Sequence, residues 1–330
     1  MSGEFTYKGA GVDIEEAAAL VGDIGELRRQ TEAKRSLMQS FGLFAASYDL
    51  SDYREPVIVT GCDGVGTKLD LLLQHDLLEI AGKDLVAMSV NDILTTGGDA
   101  LLFLDYIGVG RIDKTKIKRL IAGMAEHLAD CDCILAGGET AEMPGIVPDG
   151  MIELSGFCVG AAEKPNLIDS TRIEVGDKLI GYPSDGFHAN GWSLIRKILS
   201  ANPGLVEDNE WEQFLAPTRL YHDVVAGLRE KQLDVRAMAH NTGGGLPENL
   251  ERLLDDKGAD IAIPRWEIGA VGKVLSFVED HEAVKTFNMG WGWIVIVPAD
   301  QSEAAASIQE GALVIGEVDD SGTVKVEISN

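Results

Sequence analysis

The sequence predicts an α/β protein of two domains, and three observations carry that reading. Strand-length apolar runs alternate with amphipathic helical patterns along the chain, as they do in sheets covered by helices. The 330 residues, 45% of them hydrophobic, suffice for a sizeable core and exceed what one domain usually holds. A polar stretch, Glu163-Lys-Pro-Asn-Leu-Ile-Asp-Ser170, interrupts the alternation and places a boundary there, giving domains 1–167 and 168–330.

In the first domain, Val57-Ile-Val-Thr60 reads as a strand. It runs into Gly61-Cys-Asp-Gly-Val-Gly-Thr-Lys68 and then an apolar helical series from Leu69. Asp63 stands beside Gly64 and Gly66, which let a ligand approach the backbone closely, and Thr67 and Lys68 add a hydroxyl and a cation. The segment has the chemistry of a metal–nucleotide phosphate site, although it is neither the P-loop nor the dinucleotide fingerprint. A glycine turn between strand and helix fits the same residues. Gly82 to Gly98 reads as a helix ended by Gly97-Gly98, with Asn91-Asp92 inside it. A carboxylate in so apolar a helix is costly to bury unless it meets a cation or donors. Leu101 to Val109 reads as a strand carrying Asp105, and Asp113 as the cap of a helix with Ile117, Leu120, Ile121, Met124 and Leu128 on one face. Cys133-Ile-Leu-Ala136 is a short strand running into Gly137-Gly-Glu-Thr140, which places Glu139 and Thr140 at a strand end. Ile152 to Ala162 completes the domain as a long strand.

The second half resumes with the strand Lys178–Tyr182, the loop Pro183-Ser-Asp-Gly-Phe-His-Ala-Asn-Gly191 and a helix from Trp192 to Leu199. Val235 to Ala239 is a further strand, ending in His240-Asn-Thr-Gly-Gly-Gly-Leu-Pro247. Gly243, Gly244 and Gly245, with Thr242, free backbone amides to converge on a phosphate ahead of a helix. Before all this, Tyr7-Lys-Gly-Ala-Gly-Val-Asp13 precedes a helical pattern at Ile14, Ala18, Val21 and Ile24, and both a flexible arm and a lid over a nucleotide fit it.

The formal net charge of −26 and the lack of any clustered Lys/Arg run exclude nucleic-acid binding, and an acidic surface repels anionic membranes. Solubility or a salty milieu accounts for most of that charge. Cys62, Cys131, Cys133 and Cys158 form no CxxC pair and no disulfide framework, and the start of the chain lacks a signal pattern, so a reducing cytoplasm is expected. Apolar runs fall far short of the ~20 residues that span a bilayer.

Seven segments together carry a resemblance: Tyr7–Asp13, Thr60–Leu69, Val90–Ile93, Gly137–Gly145, His188–Gly191, Ala216-Pro-Thr-Arg219 and Thr242–Asn249. In this order, over nearly the whole chain, they closely resemble the phosphoribosylformylglycinamidine cyclo-ligase family, also called the aminoimidazole ribonucleotide synthetases. The resemblance implies an ATP-dependent ring closure of formylglycinamidine ribonucleotide in purine biosynthesis. It implies an N-terminal mixed sheet with helices that pairs across a homodimer into a barrel-like core, and a C-terminal α/β sandwich. ATP would lie in a long cleft at the interface of the domains, with Lys8 and Asp13 of the N-terminal segment among its contacts.

Carried onto this sequence, the resemblance implies that Asp63, Asp92 and Glu139 hold Mg²⁺ against the ATP phosphates. Gly64, Gly66, Thr67, Lys68, Asn91 and Thr140 would line the nucleotide site, with Lys68 and Asp92 also counted as catalytic. Asn190, Thr242 and the triple glycine would hold the substrate. His188 and His240, with exchangeable roles, would stabilise the formyl oxygen or move protons. Two departures from the family pattern stand out. Asp185 and Ala189 occupy positions where hydroxyls are usual, and Trp291 and Trp293 enter the segment after Asn288-Met-Gly290. Enzymes sharing the ATP-cleft architecture, such as thiamine monophosphate kinase, selenophosphate synthetase and the hydrogenase maturation protein, are the nearest alternatives. A non-catalytic paralogue is the alternative from another class.

Overall fold

The structure, a computed structural model, describes residues 22, 24–38 and 45–329. The segment Tyr7–Asp13, with Lys8, and the helical pattern from Ile14 to Val21 lie outside the described residues; residues 24–30 are helical. The described chain forms two compact units, one of residues up to Ile93 with Gly98–Pro165, the other of Leu94–Gly97 with the residues from Asn166 onward.

The first unit runs β1 (Pro56–Gly64), α1 (Lys68–Gln74), α2 (Leu78–Thr95), β2 (Asp99–Val109), α3 (Lys114–Asp130), β3 (Ile134–Glu142) and β4 (Ile152–Glu163). Its sheet has the order β1-β4-β2-β3, with β4 antiparallel to both neighbours and β2 parallel to β3. The sheet is mixed and open. The helix α3 forms as its sequence dictates: Asp113 Oδ1 accepts from the Thr115 and Lys116 amides at 3.1 and 3.2 Å, and the predicted apolar stripe is buried.

Glycines explain where the structure departs from the sequence reading. The strands do not end at Thr60 and Ala136 but continue through Gly61–Gly64 and Gly137–Glu142, so Glu139 and Thr140 lie within β3. Helix α2 starts at Leu78 rather than Gly82. Gly82 is a crossing point: a Cβ there would stand 2.0 Å from the Leu120 carbonyl oxygen, and one on Gly123 would stand 2.0 Å from that of Glu79. The main chains of α2 and α3 therefore touch, which only glycine permits. Gly156 serves the sheet in the same way, since a Cβ there would meet the Phe103 ring at 2.6 Å and Ser89 Oγ of α2 at 2.9 Å. Helices cover this one face. On the opposite face Ile58 and Phe157 stay 54% and 42% exposed, with Leu104 beside Phe157 in register.

The second unit comprises β5 (Lys178–Pro183), α4 (Trp192–Ala201), α5 (Trp211–Phe214), α6 (His222–Glu230), β6 (Ala237–His240), α7 (Gly245–Leu254), β7 (Gly258–Pro264), α8 (Gly269–Leu275), α9 (Asp280–Thr286), β8 (Trp291–Val297), α10 (Ser302–Ala306), β9 (Leu313–Asp319) and β10 (Val324–Ser329). Its sheet has the order β10-β7-β9-β5-β8-β6; β10 and β7 are parallel and the other pairs antiparallel. All seven residues of β8, Trp-Gly-Trp-Ile-Val-Ile-Val, are buried, as a continuous apolar run covered on both faces requires. No described helix is long and apolar enough to cross a membrane.

Candidate functional site

In the first unit, sheet register sets out the carboxylates. Asp63 on β1 faces Gly156 on β4, which faces Asp105 on β2, which faces Gly138 on β3. Residues paired in one row project to one face. Here that is the helix-covered face, because Gly156 looks onto Leu85 and Ser89 of α2. The two glycines leave space across the row. The position of a Gly138 Cβ lies only 2.3 Å from Asp105 Oδ1, so the Asp105 carboxylate overlies that glycine. Asp92 comes down from α2 onto the same face, its Cβ 3.7 Å from where a Gly61 Cβ would stand. Asp63 and Asp92 thus lie on the same face, and Asp63 Oδ1 accepts the Gly64 amide at 2.7 Å.

Glu139 does not join them. It pairs with Tyr106, one residue past the Asp105–Gly138 pair, so its exposed side chain projects from the opposite face. With β1 and β3 at opposite edges, it is also three strand spacings, about 14 Å, from Asp63. The expected set of Asp63, Asp92 and Glu139 is therefore not assembled within one chain, and among the described residues no three His, Cys, Asp or Glu side chains stand together as a metal site. Asp105, noted in the sequence but not placed in the site, is the buried carboxylate nearer to it. Burial pushes its carboxyl up to about 7, opposed by its own backbone amide and helped by the Glu139 charge. Thr140, half-buried, pairs with Ile107.

Lys68 also departs from expectation. Gly66 and Thr67 are exposed, and Gly66 has a φ of +65° that turns the chain into α1. Lys68 then points inward rather than toward a phosphate. It is 0% exposed, with its ammonium 2.7 Å from Asp84 of α2, which is also 0% exposed. Burial pulls its pKa below the lysine range, and the Asp84 charge opposes that fall. Asn91 is likewise enclosed at 0% exposure.

In the second unit, three segments meet at one end of the sheet: the loop after β5, the loop after β6 and the segment leading into β8, which runs antiparallel to both strands. Two asparagines tie them. Asn288 donates to the Gly186 carbonyl at 2.9 Å, while its Oδ1 accepts from Ser184 Oγ at 3.3 Å and the Gly290 amide at 3.0 Å. Asn241 donates to the Trp291 and Asn288 carbonyls at 2.7 and 3.2 Å. Asn249 gathers the glycine loop, donating to the Gly243 and Gly245 carbonyls at 3.2 and 2.8 Å. Thr242 Oγ1 reaches the same Asn249 at 3.5 Å. Gly244 and Gly245 have φ of +91° and +62°, and a Cβ on Gly245 would fall 1.9 Å from the Val284 carbonyl. Pro247 is the third residue of α7.

His188, 1% exposed and at φ +55°, accepts the Arg219 amide on Nε2 at 3.4 Å. Its carbonyl takes the Trp192 indole N–H at 2.7 Å. Asp185, one of the departures, holds the Arg219 guanidinium in a two-pronged ion pair, one arm of 2.8 Å from Nε to Oδ2. A Cβ on Gly292 would strike Tyr221 Oη and the His188 ring, so the glycine leaves space for both. Burial raises the Tyr221 hydroxyl above its usual range. Trp291 and Trp293 pack, the latter stacking on Tyr221 at 5.3 Å and 18°. His240 is 5% exposed beside Trp293, their ring centres 6.3 Å apart. Asn190 leans over Gly243, and its Nδ2 is buried without a hydrogen-bond partner among the described residues.

A mixed-sheet unit bearing acidic groups, followed by a larger α/β unit with a glycine-rich loop, defines the class. The AIR synthase related protein N-terminal domain matches residues 45–162, and the corresponding C-terminal domain matches residues 174–329. The chain belongs to the phosphoribosylformylglycinamidine cyclo-ligase family. It is 39% identical to the cyclo-ligase of Picosynechococcus sp., over 94% of this chain and 97% of that one. With the cyclo-ligase of Desulfitobacterium hafniense it shares 42% identity over 95% and 96%. Among solved structures, hydrogenase maturation protein HypE in complex with ATP matches with a TM-score of 0.69 at 17% identity, over 95% of this chain and 91% of that one, a likeness of fold.

Proposed function

We propose that this chain catalyses the ATP-dependent ring closure of formylglycinamidine ribonucleotide to aminoimidazole ribonucleotide, releasing ADP and phosphate. What carries the reading is the near full-length identity of about two residues in five to relatives that bear the cyclo-ligase name. In this reaction the formyl oxygen attacks the γ-phosphate, turning a poor leaving group into phosphate. The amidine nitrogen then attacks the activated carbon. Both steps are intramolecular or pre-assembled once the substrate is folded, so orientation supplies much of the acceleration.

Asp63 and Asp92, on one face of the sheet, fit Mg²⁺, which takes one or two carboxylates and completes its shell with phosphate oxygens and water. When bound, that ion would supply positive charge against the transferring phosphoryl group. Gly64, Gly66 and Thr67 offer exposed or half-exposed backbone to the nucleotide. In the second unit, Thr242 and the glycine loop receive the substrate phosphate, and the Asn190 carboxamide donates to the ribose or phosphate. His188, with Nε2 accepting a backbone amide, carries its proton on Nδ1 when neutral and donates from that atom; His240 is the second proton carrier. Residues 1–167 serve as the nucleotide and dimerisation domain, and residues 168–330 complete the active site.

The open sheet face receives a second copy of the chain, which gives a homodimer. Ile58, Cys62, Leu104 and Phe157 supply its apolar surface, and Glu139 with Tyr106 lies on the same face. All four cysteines are free thiols, in keeping with a cytoplasmic protein. The decisive experiment incubates the purified chain with formylglycinamidine ribonucleotide, ATP and Mg²⁺ and follows the aminoimidazole product. Product should accumulate, and Asp92→Asn should lose most Mg·ATP turnover. ATP binding without product overturns the reading.

A further inference from the structure

Lys68 and Asp84 form an ion pair that reaches no solvent: both side chains are 0% exposed, and Nζ lies 2.7 Å from Oδ2. Lys68 is the first residue of α1, directly after the exposed turn at Gly66 and Thr67, and Asp84 sits within α2. Leu69, Leu71 and Leu72 on one helix and Ala81, Leu85 and Met88 on the other are buried too. A lysine committed in this way has no route to a bound nucleotide unless it abandons a carboxylate where water does not reach.

The pair joins the two segments that carry Asp63 and Asp92. Asp63 lies just before the Gly66 turn, and Asp92 lies along α2 about 12 Å from Asp84 at 1.5 Å per residue. We infer that Lys68 and Asp84 are positioning residues: they clamp the Asp63–Thr67 turn to α2, fixing Asp63 relative to Asp92, and Lys68 does so without touching the nucleotide. The inference rests on the reading of Asp63 and Asp92 as the Mg·ATP site.

A buried pair that works by position is replaceable by apolar groups of similar volume, whereas a phosphate ligand is not. The test therefore compares Asp84→Asn, Lys68→Met and the double variant Lys68→Met/Asp84→Met. Each is assayed for binding of Mg²⁺ with a non-hydrolysable ATP analogue by calorimetry, for kcat and KM, and for thermal unfolding. Each single variant removes one half of the buried ion pair, so the analogue's Kd and the KM for ATP should rise about tenfold or more, with kcat at saturation within about threefold. The double variant should return Kd, KM and kcat to within about threefold of the unsubstituted chain.

A folded double variant that loses about a hundredfold in kcat overturns the inference, because Lys68 then acts on the phosphoryl group. Asp84→Asn binding the analogue as the unsubstituted chain does would overturn it too. Should the single variants not fold, the double variant decides alone. The underlying site reading fails separately, if the unsubstituted chain does not bind the Mg²⁺–analogue complex or if Asp63→Asn and Asp92→Asn bind it unchanged, and the inference falls with it.

Discussion

Replacing Asp105 with Asn should stabilise the protein, and only above acidic pH. Asp105 is 8% exposed on β2, and burial lifts its carboxyl from the ordinary 3.8 to about 7. Between those values the folded chain holds a proton that the unfolded chain has released, so stability falls as pH rises. The loss begins above the unfolded value and is complete above the folded one. Three units at 1.36 kcal/mol each give a penalty of roughly 4 kcal/mol by pH 8, about half of it developed near pH 5.4. Asparagine matches the shape of the protonated acid, which is what the space over Gly138 admits. Urea unfolding of both forms at pH 4, 5.5 and 8 measures the difference. The variant should be level at pH 4 and ahead by several kcal/mol at pH 8. Equal differences at all three pH values, or a variant weaker at pH 8, would refute the argument.

Other consequences are open to direct measurement. Gly123→Ala forces a methyl onto the Glu79 carbonyl and should cost about 3 kcal/mol or more, read as a lowered urea midpoint. Asn288→Ala removes the side chain bridging Ser184, Gly186 and Gly290; it should cost about 2–4 kcal/mol and raise the KM for formylglycinamidine ribonucleotide more than that for ATP. Phe157→Asp, on the open face, should convert the proposed dimer to monomers in light scattering at micromolar concentration. An unchanged mass would remove that face from the interface.

How much of this was legible in the sequence depended on whether a residue's reason was local. The cap at Asp113 and the apolar stripe of α3 were readable because capping and periodicity act within a few residues. Gly61, Gly64, Gly137 and Gly138 look like turn residues, yet they lie in strands. Nothing in their immediate neighbours separates a turn from a strand that a helix or a side chain from the next strand must approach closely. Lys68 beside glycines has the local look of a phosphate ligand, and only packing reveals Asp84. Glu139 failed to join Asp63 for a topological reason. Strand order puts β1 and β3 on opposite edges, and one residue of register decides the face. The helix that carries Asp92 and the glycine loop ahead of α7 were readable as elements, because each combines an unusual residue type with a helix face or an element end.

The Gly82–Gly123 crossing has a mechanical consequence. Main chain rests on main chain there, with no side chain between to change rotamer and no void to squeeze out. Under hydrostatic pressure, which acts through eliminated internal volume, such a contact has little to give up. Helices α2 and α3 should compress and tilt as one body, so Asp92 rides on a two-helix girder and not on a single rod.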